Sequence, residues 1–239
     1  MTIDVCFSPL LYTAYHDPEQ IVVVTDIFRA TTSIVTAFGN GAKSIIPVAT
    51  VDEARAYKEN GWLVGAERNV KRCDFADFGN SPFDYTADAV AGKDIVFTTT
   101  NGTKAIAAAR HAFRLVVGAF INLEEVAACC MNYRRNVLIL ASAWEDKVNV
   151  EDTLFGGALT AELVKHSFHP ATDAARIALE LWEAHRDNLR QYIEKTDHYA
   201  RLLANGLEDA VPYCLTLNTV GVVPELSMDG LRLARWGGR

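Results

Sequence analysis

The sequence predicts an α/β fold, a parallel or mixed sheet or pair of sheets covered by helices on both faces. Two observations predict it. Short apolar runs alternate along the chain with stretches whose apolar residues recur at helical spacing. One of the runs, residues 21–24, is β-branched throughout, which suits a strand buried on both faces rather than a half-exposed one.

Residues 21–24, Ile-Val-Val-Val, are the clearest such strand. A helix over 31–38 follows and is stopped by Gly39 and Gly41. Residues 44–48 read as a strand, 51–60 as a helix closed by Gly61, and 62–65 as another short strand. The segment 66–85 is polar and irregular, too long for a tight turn and of a length that in compact domains often carries function. A strand over 94–98, a helix over 103–112, strands over 114–117 and 137–141 and an intervening helix over 123–133 come next. A helix over 153–165 follows Glu151 and Asp152, and the longest helix spans 174–204, with Asn205-Gly206 at its end. The tail, 215–233, reads as one or two closing strands around the turn Asp229-Gly230. Residues 26–34 can be laid over 98–106, each a strand end, a polar turn and a helix start; generic βα-turn chemistry accounts for this at least as well as duplication. The chain is therefore read either as one compact unit, 1–239, or as two similar α/β subdomains, about 1–115 and 116–239, with the active site between them.

The bulk properties exclude several classes. A net charge of -7 argues against nucleic acid or an anionic membrane as the main partner, while leaving room for a local basic pocket. Five cysteines, an odd number with no C-x-x-C pair, argue against a disulfide framework or structural zinc and for a reducing compartment. The start, MTIDVCFSPL, does not read as a secretory signal, and no apolar run approaches the roughly 18 residues of a membrane span, so the cytoplasm is the expected location. No Gly-x-Ser-x-Gly elbow supports an esterase.

Four segments carry chemistry. In the first, Asp26 directly follows a buried strand, a common position for a metal-binding carboxylate; Arg29 can fork onto phosphate or sulfonate, and Thr31 and Thr32 open a helix whose free N–H groups attract anions. In the second, Thr98-Thr99-Thr100-Asn101-Gly102-Thr103-Lys104 joins hydroxyls, an amide, a flexible glycine and a lysine into a candidate phosphate cradle that lacks Walker spacing. In the third, Glu151-Asp152-Thr153 serves equally as a helix cap or as hard-oxygen ligands for Mg²⁺. In the fourth, Glu67, Arg68, Lys71, Arg72 and Gly79-Asn80-Ser81-Pro82 form either a second anion site or a solvated charged loop with a rigid turn. The histidines form no metal-ligand pattern and read as surface or structural, His198 being the least settled.

Taken together, and in this order along nearly the whole chain, Asp26-Ile27-Phe28-Arg29-Ala30-Thr31-Thr32-Ser33-Ile34, Gly79-Asn80-Ser81-Pro82, residues 98–103 and Glu151-Asp152-Thr153 resemble the 2-phosphosulfolactate phosphatase family. The sequence departs from the family pattern at Gly65-Ala66-Glu67-Arg68, which carries one extra residue, and at Tyr199, where a glycine is expected. The resemblance implies Mg²⁺-dependent hydrolysis of 2-phospho-3-sulfolactate to 3-sulfolactate and phosphate, a step of coenzyme M biosynthesis in some archaea. For that reaction the residues themselves suggest roles: Asp26, Glu151 and Asp152, with Glu67 as an additional candidate, on Mg²⁺; Arg29, Thr31, Thr32, Thr100, Asn101, Thr103 and Lys104 on phosphate; Arg68 and Arg72 on sulfonate or carboxylate, with Asn80 and Ser81 also toward substrate; Asp26, Arg29, Asn101 and Lys104 are the catalytic candidates. A metal-bound water or Asp26 would be the nucleophile, and Phe28 stands where the D-x-D pattern of covalent phosphatases has its second acid. A phosphatase for another three-carbon acid phosphate and a non-catalytic anion binder are the alternatives. Oligomeric state is open, with a homodimer one option.

Overall fold

A computed structural model describes residues 1–234 of the chain. Its strands are β1 (Thr2–Cys6), β2 (Ile21–Thr25), β3 (Ser44–Pro47), β4 (Leu63–Arg68), β5 (Lys71–Arg72), β6 (Asp94–Thr98), β7 (Arg114–Gly118), β8 (Val137–Ala141), β9 (His169–Pro170), β10 (Pro224–Ser227) and β11 (Gly230–Leu233). The principal helices are α1 (Ala30–Gly39), α2 (Val51–Glu59), α3 (Gly102–Ala108), α4 (Leu123–Tyr133), α5 (Val150–Val164), α6 (Asp173–His185) and α7 (Asp197–Ala204). The α/β class is as the sequence predicts.

The strands form one 11-stranded sheet in the order β5-β4-β6-β3-β11-β10-β7-β2-β8-β1-β9. It consists of two parallel blocks. In one, β2 lies between β7 and β8, with β1 and β9 beyond. In the other, β6 lies between β3 and β4. The carboxyl-terminal hairpin β10–β11 is inserted between them, antiparallel to β7 on one side and to β3 on the other. Following the pairings across the hairpin, the two blocks run in opposite senses. The blocks do not follow the order of the chain, since β1 and β2 belong with β7, β8 and β9. Sheet twist of roughly 20–25° per strand pair accumulates between β2 and β6. The turns after these two strands come to lie face to face: a Cβ built on Gly102 would stand 2.8 Å from the Ala30 Cβ and 3.0 Å from Asp26 Oδ2.

The core explains why the site is rigid. All five residues of β2 and of β8 are buried, as a doubly covered central strand requires. Helix α5 packs so closely on α6 that a Cβ on Gly157 would lie 2.0 Å from the Ala178 carbonyl oxygen, so only glycine fits there. Several boundaries differ from those read in the sequence. Strand β1 was not expected; Ile3 and Val5 are buried, but Asp4 interrupts the apolar signal, its Oδ1 accepting bonds from Val5 N and Thr172 Oγ1. Strand β4 continues through Glu67 and Arg68, then turns at Asn69 and Val70 (φ 52° and 64°) into β5, replacing much of the expected irregular loop by a hairpin. The single helix expected over 174–204 is broken. After α6 and a short stretch Leu189–Ile193, Thr196 starts α7 afresh, its Oγ1 accepting from Tyr199 N at 3.3 Å. Helix α5 begins three residues earlier than expected, which puts Glu151 and Asp152 in its first turn.

Candidate active site

A cavity of about 180 Å³ opens where the turns after β2 and β6 meet, walled in addition by the β4–β5 turn, Asn80, Trp144 and one face of α7. Asp26, Arg29 and Glu67 line it, and each is at most 6% exposed. Burying charge is expensive unless something compensates it, so three such residues around one small space mark a site built for a ligand. A larger open groove of about 990 Å³ lies by the β10–β11 turn, but its charged residues, such as Glu53, Arg110, Arg114 and Asp229, are exposed and already solvated.

Asp26 follows β2 and is held by local bonds: its N–H donates to Thr31 Oγ1, while Thr31 N and Oγ1 both donate to its carbonyl. Burial pushes its carboxyl up to about 6; the carboxylates of Glu67 and Glu151 act in the same direction and His198 opposes them. Arg29 sits at the start of α1 and its guanidinium donates only a long bond, 3.4 Å, to the Val70 carbonyl. Glu67 is braced from one side by Val70 N–H and from the other by Thr100, whose Oγ1 lies 3.1 Å from Oε1. Val70 thus serves both Glu67 and Arg29 from a left-handed backbone conformation, one that costs a β-branched residue on the order of 1–3 kcal/mol.

Glu151 and Asp152 are fully buried beneath the cavity and do not line it. Asp152 Oδ1 accepts from Ile27 N at 2.9 Å, and Oδ2 from Ser142 Oγ and Asn149 Nδ2, so this carboxyl fastens the β2–α1 turn to α5. Its pKa is raised well above the ordinary value by burial, with Glu151 and Asp26 adding to the effect. Glu151 Oε1 pairs with His198 Nδ1, and its Oε2 is buried with no partner among the described residues. The His198 ring lines the cavity and meets Phe28 edge-on, with centroids 5.8 Å apart.

The remaining residues singled out in the sequence divide cleanly. Thr100, Asn101 and Asn80 line the cavity, and Asn80 Oδ1 is buried without a partner among the described residues. Thr31 and Thr32 turn their hydroxyls back onto the carbonyls of Asp26 and Ile27. Thr103 closes a reciprocal pair with Thr99. Lys104 is exposed on α3, and Ser81 lies outside the cavity lining, just before Pro82. Arg68 donates to the Glu67 and Ala49 carbonyls and to Thr98 Oγ1, and the exposed Arg72 to the Asp77 carbonyl, so neither reaches the cavity. Helix α7 supplies what sequence reading missed: His198, Arg201, Leu202 and Asn205 all line the cavity. Their spacing, i, i+3, i+4, i+7, is one helix face, and that periodicity was the available signal.

Among the described residues no group of three or more His, Cys, Asp or Glu side chains is placed to hold a metal ion by itself. The donor chemistry nevertheless fits Mg²⁺, which takes one or two carboxylates and completes its shell with water and phosphate oxygens. Asp26 and Glu67 are two such hard-oxygen donors on the cavity wall. Both oxygens of Asp152 are already committed to hydrogen bonds.

Comparison with known proteins identifies the family. The family model described as 2-phosphosulpholactate phosphatase matches residues 6–229. A probable 2-phosphosulfolactate phosphatase of Clostridium novyi is 34% identical over 228 residues, covering 94% of this chain and 97% of that protein. One from Caldanaerobacter subterraneus subsp. tengcongensis is 32% identical over 221 residues, covering 91% and 92%. A match running from β1 to the β10–β11 turn takes in every wall of the cavity: the chain belongs to the 2-phosphosulpholactate phosphatase family.

Proposed function

We propose that this chain is a Mg²⁺-dependent phosphatase that hydrolyses 2-phospho-3-sulfolactate, or a closely similar small anionic phosphate ester, to the alcohol and inorganic phosphate. The observation that carries the reading is the composition of the cavity wall. It sets two buried carboxylates, Asp26 and Glu67, against two guanidiniums, Arg29 and Arg201, in a space of about 180 Å³. A metal-neutralised phosphoryl group needs acids and cations together, whereas a site for a simple anion has no use for the acids. The five cysteines are all free, which supports a reducing compartment such as the cytoplasm.

In this mechanism Asp26 and Glu67 would hold Mg²⁺, which would supply charge neutralisation for the phosphoryl group. Arg29 presents its fork to the phosphate, and Asn101 donates from the opposite turn, where Thr100 is spent on bracing Glu67. Asp26 orients the attacking water and accepts its proton. Water oxygen bonds to phosphorus as the ester P–O bond breaks. His198, fixed through Nδ1 by Glu151, delivers a proton from Nε2 to the departing alkoxide oxygen.

Phosphate release from 2-phospho-3-sulfolactate and a panel of three-carbon acid phosphates, with chelator and after Mg²⁺ is restored, tests the proposal. Turnover abolished by chelation and recovered with Mg²⁺ is expected. Full turnover in chelator removes the metal, and no release from any ester removes the activity. Beryllofluoride trapping separates the routes: an adduct on Asp26 would show it to be the phosphoryl acceptor and replace the water mechanism.

A further inference from the structure

We infer that Arg201, held flat on Trp144, is the specificity-determining residue for the second acidic group of the substrate, the carboxylate or sulfonate on the carbon chain. The inference rests on the phosphatase reading and adds to it the group that selects an acid-bearing ester over a plain one.

Arg201 lines the cavity from α7. Its guanidinium carbon lies 3.6 Å over the Trp144 ring. Trp144 is itself fixed by a tight turn: its N–H donates to the Lys147 carbonyl at 3.0 Å and the Lys147 N–H returns to it at 2.9 Å, with Glu145 and Asp146 both left-handed between them. Stacking occupies one face of the guanidinium and fixes its plane, leaving the N–H donors on the rim. One of those donors is demonstrably unpaired. Arg201 Nε is buried with no hydrogen-bond partner among the described residues. No carboxylate among the described residues forms a salt bridge with it: Glu151 Oε1 pairs with His198, and Glu67 accepts from Val70 and Thr100. Burial holds the Arg201 pKa below its ordinary value, and the surrounding carboxylates, Glu151 first among them, only partly offset this.

A buried N–H donor without a partner costs stability, and a planar or trigonal anion meeting the edge of the guanidinium would satisfy it. Arg29 is placed for the phosphate because it shares the β2–α1 turn with Asp26. Arg201 reaches the same cavity from a different element, so a molecule bearing phosphate and a second anion can bridge the two. Arg68 and Arg72, the sequence-based candidates for that second anion, point their donors at backbone carbonyls and Thr98 instead.

The test compares two esters, 2-phospho-3-sulfolactate and isopropyl phosphate, which has the same secondary phosphate without either acid. The quantity read is the ratio of their kcat/KM values. Arg201→Met is expected to lower that ratio about tenfold to a hundredfold, mainly through KM for the acid-bearing ester, as loss of a charged bidentate contact does. Arg201→Lys keeps the charge but not the fork and should fall between. Trp144→Leu should lower the ratio in the same direction by less, because it frees the guanidinium without removing it. Calorimetric titration with 3-sulfolactate gives an independent reading, with binding at least about tenfold weaker in Arg201→Met. An unchanged ratio, or equal losses on both esters in a variant with a wild-type melting curve, overturns the assignment. The two readings fail separately. If wild-type protein turns over neither ester yet binds 3-sulfolactate through Arg201, the subsite stands and the phosphatase reading falls. If it turns over phosphosulfolactate and Arg201→Met matches it, the phosphatase reading stands and the subsite falls.

Discussion

The turn after β2 shows Asp26 and Arg29 to the cavity, while the turn after β6, pressed against it at Gly102, shows Thr100 and Asn101. Both are strand-to-helix turns with threonines in the following helix start. In both, helix-start threonines are spent on local bonding, Thr31 and Thr32 on the carbonyls of Asp26 and Ile27 and Thr103 on Thr99. The difference lies in what remains. One turn offers full charges whose burial must be compensated, and the other offers neutral donors plus a brace for Glu67. A shared backbone device thus carries two kinds of chemistry, and the opposition of the blocks puts them on facing walls.

Removing the charge from the first turn should have the largest effect. Asp26→Asn preserves shape and is expected to lower kcat by about 10²–10⁴-fold, the range for losing a positioned proton acceptor. Because burial already disfavours the ionised carboxyl, the melting temperature should stay level or rise. Phosphate release and a thermal melt measure both; retained turnover would take Asp26 out of the reaction. Separating the two turns comes next. Gly102→Ala places a methyl where 2.8 Å is available to Ala30 and 3.0 Å to Asp26 Oδ2, so the turns must part. A shift approaching 1 Å in such a site costs about 10²-fold in rate, and overpacking lowers stability by about 1–3 kcal/mol. Smaller still should be Asn101→Ala, which removes one neutral donor from the second turn, at about tenfold in kcat/KM. If Asn101→Ala proved as damaging as Asp26→Asn, the contrast between a charged and a neutral wall would fail.

How much of this could be read in the sequence follows from where each signal is stored. Helix α4 and strand β8 have the bounds their periodicity predicts, and the carboxylate after β2 stands at the cavity because a buried strand end leaves the following residue at the sheet's mouth. The threonines misled because a hydroxyl turned back on its own turn and one offered to a ligand share the same letters; only backbone geometry separates them. Arg68 misled for a related reason, its length letting it find carbonyls away from the cavity. His198 and Arg201 were hidden by an apolar rhythm that runs through the break at Thr196, where a cap restarts the helix. Adjacent letters also took different uses: Asp152 fastens a turn and Glu151 pairs with a histidine 47 residues on.

The far end of β6 offers the mildest test, directed at the frame that holds the two turns together. Asp94 opens β6 beside the seam between β3 and the hairpin; its carboxylate meets Lys43 Nζ at 2.8 Å, Ser44 Oγ, and Arg232 Nη1 at 3.5 Å. Hydrogen bonds from Lys43 and Ser44 hold its pKa below the ordinary value. A carboxyl lowered on folding binds its proton less readily in the folded state, so its contribution is present above the unfolded value and fades as pH falls through the folded one. Asp94→Asn should therefore lower the melting temperature slightly at neutral pH, by less than about 1 kcal/mol for so exposed a pair. The gap to wild type should close as the pH drops below about 3.9. Turnover at neutral pH should not change, since the cavity lies at the other end of the strand. A fall in kcat together with the melting temperature would mean that the seam governs how closely the two turns meet, and the frame would then belong to the catalytic apparatus.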